Sequence, residues 1–309
     1  MQKPRIAVAL GSGGARGWAH VGILEVLIEN GIRPDIVCGS SIGALVGGAY
    51  GCGKLDVFRE WTLSLTWKDI VALMDISLNS GGLIEGKRLA NRILEHLEGC
   101  QIEELSVDYA AVATELHTGR EVWLRSGPLM DAMRASFALP GLFSPVRRGN
   151  NWLTDGGLVN PVPVSTCRAL GADFIIAVNL NSRIAGNRRE RALESARARK
   201  EAMENLASDW VPDALRAPAK KWLKRTFSPP TDITPSYTDV MIGSINIMQD
   251  RITKSRMAGD PPDVVLNPRL GHLGVMDYDC AAESIEEGRT TAEHMLPTIR
   301  DLIADIRRG

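Results

Sequence analysis

Apolar and polar positions along this chain change period many times, and each change marks an element. Residues 5–10 and 173–179 read as central strands, the latter around the unbroken apolar run Phe174–Val178. Between Trp18 and Asn30 the apolar residues Val21, Leu24, Leu27 and Ile28 recur at helical spacing, and Gly31 follows as a stop. The same reading predicts further strands near 35–39, 108–114, 121–125, 151–155 and 263–267. It predicts further helices near 42–52, 54–63, 87–98, 128–137, 162–170, 238–256 and 281–307. Strands alternating with helices imply an α/β fold: a mainly parallel sheet covered on both faces, within one domain spanning 1–309. No internal repeat interrupts it.

The pattern changes after Asn181. Residues 183–225 are rich in Arg, Lys and Ala, and Pro212, Pro218, Pro229, Pro230 and Pro235 then break the chain. We read 181–236 as an inserted helical arm that returns through the helix near 238–256, so that the insertion as a whole covers 181–258. Trp210, Trp222, Leu223 and Phe227 stand among Lys220, Lys221, Lys224 and Arg225 there. Aromatic and basic residues so mixed suit peripheral contact with an anionic membrane; a solvated helical cover or a homo-oligomer contact is the plainer reading. A second apolar patch, Trp61 to Trp67 with Ile70, Val71, Leu73 and Met74, fits an acyl pocket, a lid or plain core.

A formal charge of −1 over 309 residues argues for no partner class, and no basic module suggests nucleic acid. No segment reads as a secretory signal or a membrane span, which points to a cytoplasmic protein. Five scattered cysteines (Cys38, Cys52, Cys100, Cys167, Cys280) suggest reduced, mostly buried thiols. No Cys/His cluster suggests a metal, and no cofactor is implied.

The candidate chemistry lies at three places. Gly39-Ser40-Ser41-Ile42-Gly43 falls between a predicted strand and a small-residue helix, the context of a nucleophile elbow. Glycines at 39 and 43 suit a turn where backbone crowds the serine. The helix that follows points its positive end at the hydroxyl of Ser41. Ser40 competes, but Cys38 holds the place where its own flanking glycine belongs.

Gly11 to Gly17 forms another strand-to-helix loop, whose free amides would bind an anion. That anion is either a tetrahedral oxyanion or a phosphate. The dinucleotide pattern fails at Arg16, where its third glycine belongs, although Asp35 could serve as a ribose ligand. A Walker loop lacks its Gly-Lys-Ser/Thr. The oxyanion reading also accounts for the elbow. Asp155, at a strand end before Gly156-Gly157, is the candidate base. An aspartate near its ordinary pKa of about 3.9 is a weak base, and burial would strengthen it. An Asp-Gly hairpin turn is the plainer alternative.

These segments resemble those of the bacterial patatin-like phospholipases of the neuropathy-target-esterase type. The matching residues are Gly13-Gly14-Ala15-Arg16-Gly17, Gly39-x-Ser41-x-Gly43, Asp155-Gly156-Gly157 and the block Ala135 to Pro145. Ser12 departs from the usual glycine. The resemblance implies a three-layer α/β/α sandwich of patatin type and a serine esterase acting on phospholipids or lysophospholipids. It implies a dyad in which Ser41 attacks and Asp155 is the base. Main-chain donors of Gly13, Gly14 and Ala15, with Arg16 beside them, would form the oxyanion hole, and Leu139 to Phe143 would contact the acyl chain. Two rivals stay open. One is a Ser41–Asp155–His272 triad, in the chain order of α/β-hydrolases. The other is a regulatory or scaffold protein that keeps the site without using it. Of the other histidines, His20 reads as packed near the glycine loop, His96 and His294 as helical, and His117 as a turn residue.

Overall fold

The computed structural model describes residues 3–66, 69, 99–182 and 237–308. The predicted helix near 87–98, Trp67 and residues 70–74 of the second apolar patch, His96 and the arm after Ser182 lie outside them.

The strands are β1 (Ile6–Leu10), β2 (Ile36–Ser40), β3 (Asp108–Glu115), β4 (Glu121–Leu124), β5 (Val146–Arg148), β6 (Asn151–Asp155), β7 (Phe174–Val178) and β8 (Val264–Leu266). The helices are α1 (Ala19–Glu29), α2 (Ile42–Gly51), α3 (Leu55–Ser64), α4 (Leu129–Ser136), α5 (Val164–Ala169), α6 (Tyr237–Gly259) and α7 (Ala281–Arg308). One sheet holds all eight strands in the order β5-β6-β3-β2-β1-β7-β8, with β4 also paired to β3. Strands β3, β2, β1, β7 and β8 run parallel. Antiparallel pairing gathers around β3, which takes β4 and β6 as antiparallel partners, and β6 in turn pairs with β5. The sheet is therefore mixed, parallel across its middle and antiparallel at one end. The three-residue strand β5 was too short to read from periodicity.

The strand runs that look uniformly apolar sort their side chains onto two faces. Ile6, Val8 and Leu10 of β1 join the larger core, against α1, α2 and α7. Ala7 and Ala9 face the other way, with Cys38 and Ala177, onto Val164 and Cys167 of α5. Small residues on that face let the short helix lie close. Trp18 extends the larger core, with its ring edge-on to Phe58, Trp61 and Tyr278. Trp61 thus belongs to core packing.

The cysteine expectation fails at one pair. Cys52, just past α2, and Cys100 are joined, with Cα atoms 6.7 Å apart, within cross-linking range. They are 48 residues apart in sequence, so only the fold brings them together. Cys38 and Cys167 are free and buried, and Cys280 is free. No helix among the described residues is long and apolar enough to cross a membrane.

Candidate active site

Strand pairing decides the site. Strand β3 pairs with β4 along one edge, from Ala111↔Leu124 to Thr114↔Glu121. Its other edge is shared. Strand β2 runs parallel to it as far as Ser40↔Val112. There β6, arriving antiparallel, ends at Ala113↔Asp155. Two strands therefore meet end to end over neighbouring residues of β3. The residue after β2, Ser41, and the last residue of β6, Asp155, meet there: Ser41 Oγ donates to Asp155 Oδ2 at 2.5 Å.

Ser41 occupies φ 57°, ψ −123° and is the one non-glycine with positive φ among the described residues. Such a conformation costs about 1–3 kcal/mol and persists only where its surroundings impose it. Here the turn is gripped from three sides. A Cβ on Gly43 would stand 2.1 Å from the Leu10 carbonyl, and one on Gly39 2.4 Å from the Ala44 nitrogen. The Ser41 N–H donates to Ser136 Oγ at 2.9 Å, and that hydroxyl donates onward to the Val112 carbonyl at 2.5 Å. Ser136 thus ties the elbow to the strand beneath it. Ser40, the competing serine, ends β2 fully buried, its hydroxyl without a partner among the described residues.

Asp155 is 0 % exposed and Ser41 6 %. Burial pushes the Asp155 carboxyl up to about 6, against the opposing pull of hydrogen bonds from Ser41 and the Gly157 N–H. The second bond, 2.7 Å to Oδ1, fixes the carboxylate plane. Thr114 Oγ1 donates to the Asp155 carbonyl at 2.7 Å, and the Asp155 N–H donates to Ala138 at 3.0 Å. Every handle on this residue is held. The Asp-Gly hairpin offered as the alternative is not there: a single 3-10 turn at Gly156–Leu158 follows β6 and leads on to α5.

The glycine loop is fastened at its start: Gly11 N–H donates to Val178 O at 3.2 Å and Ser12 N–H to Pro161 O at 2.8 Å. Gly14 has φ 59°, and a Cβ there would lie 2.3 Å from the Val275 carbonyl. That carbonyl accepts the Ala15 N–H at 3.0 Å. Ala15 departs from expectation for this reason: its donor is spent on tertiary packing. The N–H groups of Gly13 and Gly14 make no such bond among the described residues, and both glycines border the cleft. Arg16 is wholly buried, and its Nε donates to the Gly13 carbonyl at 3.1 Å. A trans peptide sets the Gly14 N–H opposite that carbonyl, so the side chain of Arg16 orients a donor.

A cleft of about 430 Å³, open mouth included, runs past Ser41, Gly13 and Gly14. Phe137, Leu139, Leu142 and Phe143 form one side, Phe137 and Phe143 with ring centroids 4.9 Å apart. Ile242, Ile245, Asn246 and Gln249 of α6 form the other. Gly141, at φ 80°, lies under Met241, which closes α6 down on this loop.

His272 does not join the pair. Its Nε2 lies 2.6 Å from Glu283 Oε1, it borders no part of the cleft, and Asp155 takes the Ser41 hydroxyl directly. The triad expectation is corrected accordingly: the carboxylate occupies the place an imidazole would need. His20 is packed, with Nε2 2.8 Å from Gly11 O and its pKa lowered by burial to about 4. Sequence reasoning passed over Ser136, which sits in a block noted only for likeness. It also passed over Asn246 and Gln249, whose one signal is a pair of carboxamides three residues apart on a helix.

Fold and site define a class: α/β proteins in which a strained strand-to-helix turn presents a serine to a buried carboxylate. Residues 8–168 match the family model described as patatin-like phospholipase. An uncharacterized NTE family protein of Mycobacterium tuberculosis is 32% identical over 340 residues, covering 95% of this chain and 91% of that one. The protein named lysophospholipase NTE1 of Pyricularia oryzae is 27% identical over 310 residues, 96% of this chain but 19% of its own. Among solved structures, VipD from Legionella pneumophila is similar at a TM-score of 0.49 and 15% identity, over 96% of this chain and 67% of that one. The chain belongs to the patatin-like phospholipase family.

Proposed function

We propose that this protein is a serine acyl hydrolase for glycerolipid esters, of phospholipase A or lysophospholipase type. The carrying observation is the 2.5 Å contact between Ser41 Oγ and Asp155 Oδ2 at the floor of an apolar cleft. In this reading Ser41 Oγ bonds to the ester carbonyl carbon while its proton passes to Asp155. The carbonyl π pair moves onto oxygen, which the Gly13 and Gly14 N–H groups stabilise. Collapse expels the alcohol, which takes the proton back from Asp155. Water, deprotonated by Asp155, then attacks the acyl-serine, and the fatty acid leaves with Ser41 restored. A carboxyl titrating near 6 is ionised at neutral pH yet basic enough to hold a proton in transit. Phe137, Leu142 and Ile245 would receive the acyl chain.

The relative named as a lysophospholipase supports the lipid class. A fluorophosphonate probe tests the nucleophile. Labelling that maps to Ser41 and vanishes in Ser41→Ala is expected; folded protein that takes no label would sink the reading. Hydrolysis of lysolipids and diacyl lipids of graded chain length would then fix the substrate.

A further inference from the structure

Asn246 lies in the middle of α6, 3 % exposed, on the cleft beside Gly13 and Gly14. Arg16 donates through Nη2 to its side-chain oxygen at 3.2 Å. A guanidinium has donors only, so this contact settles which end of the carboxamide faces it. The NH2 end is then turned away from Arg16, and this buried Nδ2 has no hydrogen-bond partner among the described residues. Buried donors are rarely left unmet, because nothing replaces the water they lose. Gln249, one turn on, shows the contrast. Its Oε1 accepts from Ser12 Oγ at 3.1 Å and Asn181 Nδ2 at 3.1 Å, which anchors α6 to the glycine loop.

The hole expected from three amides has lost Ala15 to Val275. One arginine holds both the Gly13 carbonyl and the Asn246 side-chain oxygen, so the remaining amides and the orphan NH2 share a single brace. We infer that Asn246 Nδ2 is a third donor to the oxyanion, supplied by a side chain of α6. Asn246 would then be a catalytic residue contacting the substrate oxygen, and the empty donor would find its acceptor only when an ester is bound. This rests on the hydrolase reading above and deepens it.

The test compares Asn246→Ala and Asn246→Asp on a soluble p-nitrophenyl ester, with Ser41 labelling of each. Aspartate keeps an acceptor for Arg16 but has no NH2. Both variants should lose about 10²-fold in kcat with little change in KM, the size of effect seen when one oxyanion donor is removed. Wild-type kcat in either variant overturns the inference: in Asn246→Asp it would mean that the residue only positions Arg16. A measurement on the unaltered protein stands independent of variant folding. Phosphonylation of Ser41 should move the Asn246 side-chain NH2 resonances downfield, and unmoved resonances overturn the inference. If wild-type Ser41 takes no label at all, the hydrolase reading falls and this falls with it. Normal labelling with unaffected variants overturns this inference alone.

Discussion

The two walls of the cleft are built differently. One wall, with the glycine loop, Ser41 and residues 137–143, is held through its backbone. Gly11 and Ser12 are hydrogen-bonded to Val178 and Pro161, the Ser41 amide to Ser136, and Asp155 to Ala138. The other wall is a row of side chains on α6, attached through Gln249, Asn246 and Met241. Backbone can place a reacting atom within the fraction of an ångström that bond-making needs. A row of aliphatic side chains on a helix places apolar volume, which tolerates exchange. On the proposed function, substitutions in the first wall should therefore change kcat. Those in the second should change which ester is preferred, with Asn246 as the exception.

The largest effect is expected at the nucleophile. Ser41→Ala should lower ester hydrolysis by about 10⁴-fold or more, leaving only what binding and the oxyanion donors provide. Single-turnover assays of folded variant will show it; appreciable residual activity would move the chemistry off this wall.

Next comes Asp155→Asn, with a loss of about 10²–10⁴-fold as the base disappears. The pH profile carries the same message. Asp155 must be ionised to accept the proton, so kcat/KM should fall as pH drops through about 6. Stability should move the opposite way. The carboxyl is raised in the folded state, so the protein is most stable below the unfolded value of 3.8 and loses that advantage as pH rises through about 6. A neutral asparagine escapes that loss. Asp155→Asn should therefore unfold later than wild type at pH 8, by on the order of 2–3 kcal/mol, and the gap should narrow at pH 5. Denaturant titrations at the two pH values will measure it.

Ser136→Ala takes the acceptor of the buried Ser41 N–H and one donor from the Val112 carbonyl, at about 1–3 kcal/mol of stability. The loosened elbow should also lose about tenfold in kcat, since small misplacements weigh heavily on reacting groups. Chemical denaturation and steady-state kinetics test both halves.

On the second wall, Ile245→Ala should lower kcat/KM for long acyl esters about three- to tenfold and leave short ones nearly unchanged, given about 0.8 kcal/mol per buried methylene. An equal loss across chain lengths would mean that α6 serves the chemistry generally. The smallest effect belongs to His272→Ala. With its ring paired to Glu283, activity should stay within about twofold. A collapse there would revive the triad.

Much of this site was legible in residue order. Gly39-x-Ser41-x-Gly43 had to be a tight turn, because the run of small residues after it makes a helix and the apolar run before it a strand. Ala15 was misread because a free amide in a loop looks the same in sequence whether or not Val275, 260 residues later, takes it. Cys52 and Cys100 were missed for the same reason. Asn246 carries only the faint signal of a second carboxamide three residues on, since an asparagine on a helix is usually a solvated one.

Residue order alone therefore determined the elements, the turn that strains Ser41 and the loop that offers amides, because φ/ψ preferences and hydrophobic period act over a few neighbouring residues. The tertiary structure decided the pairing. Only the register of β3, which runs out of β2 at Val112 and takes up β6 at Ala113, sets Ser41 against Asp155. Only the packing of α6 on the glycine loop selects which buried donors stay unspent. Register and packing are settled by burial summed over the whole sheet, and no short stretch of chain carries that sum.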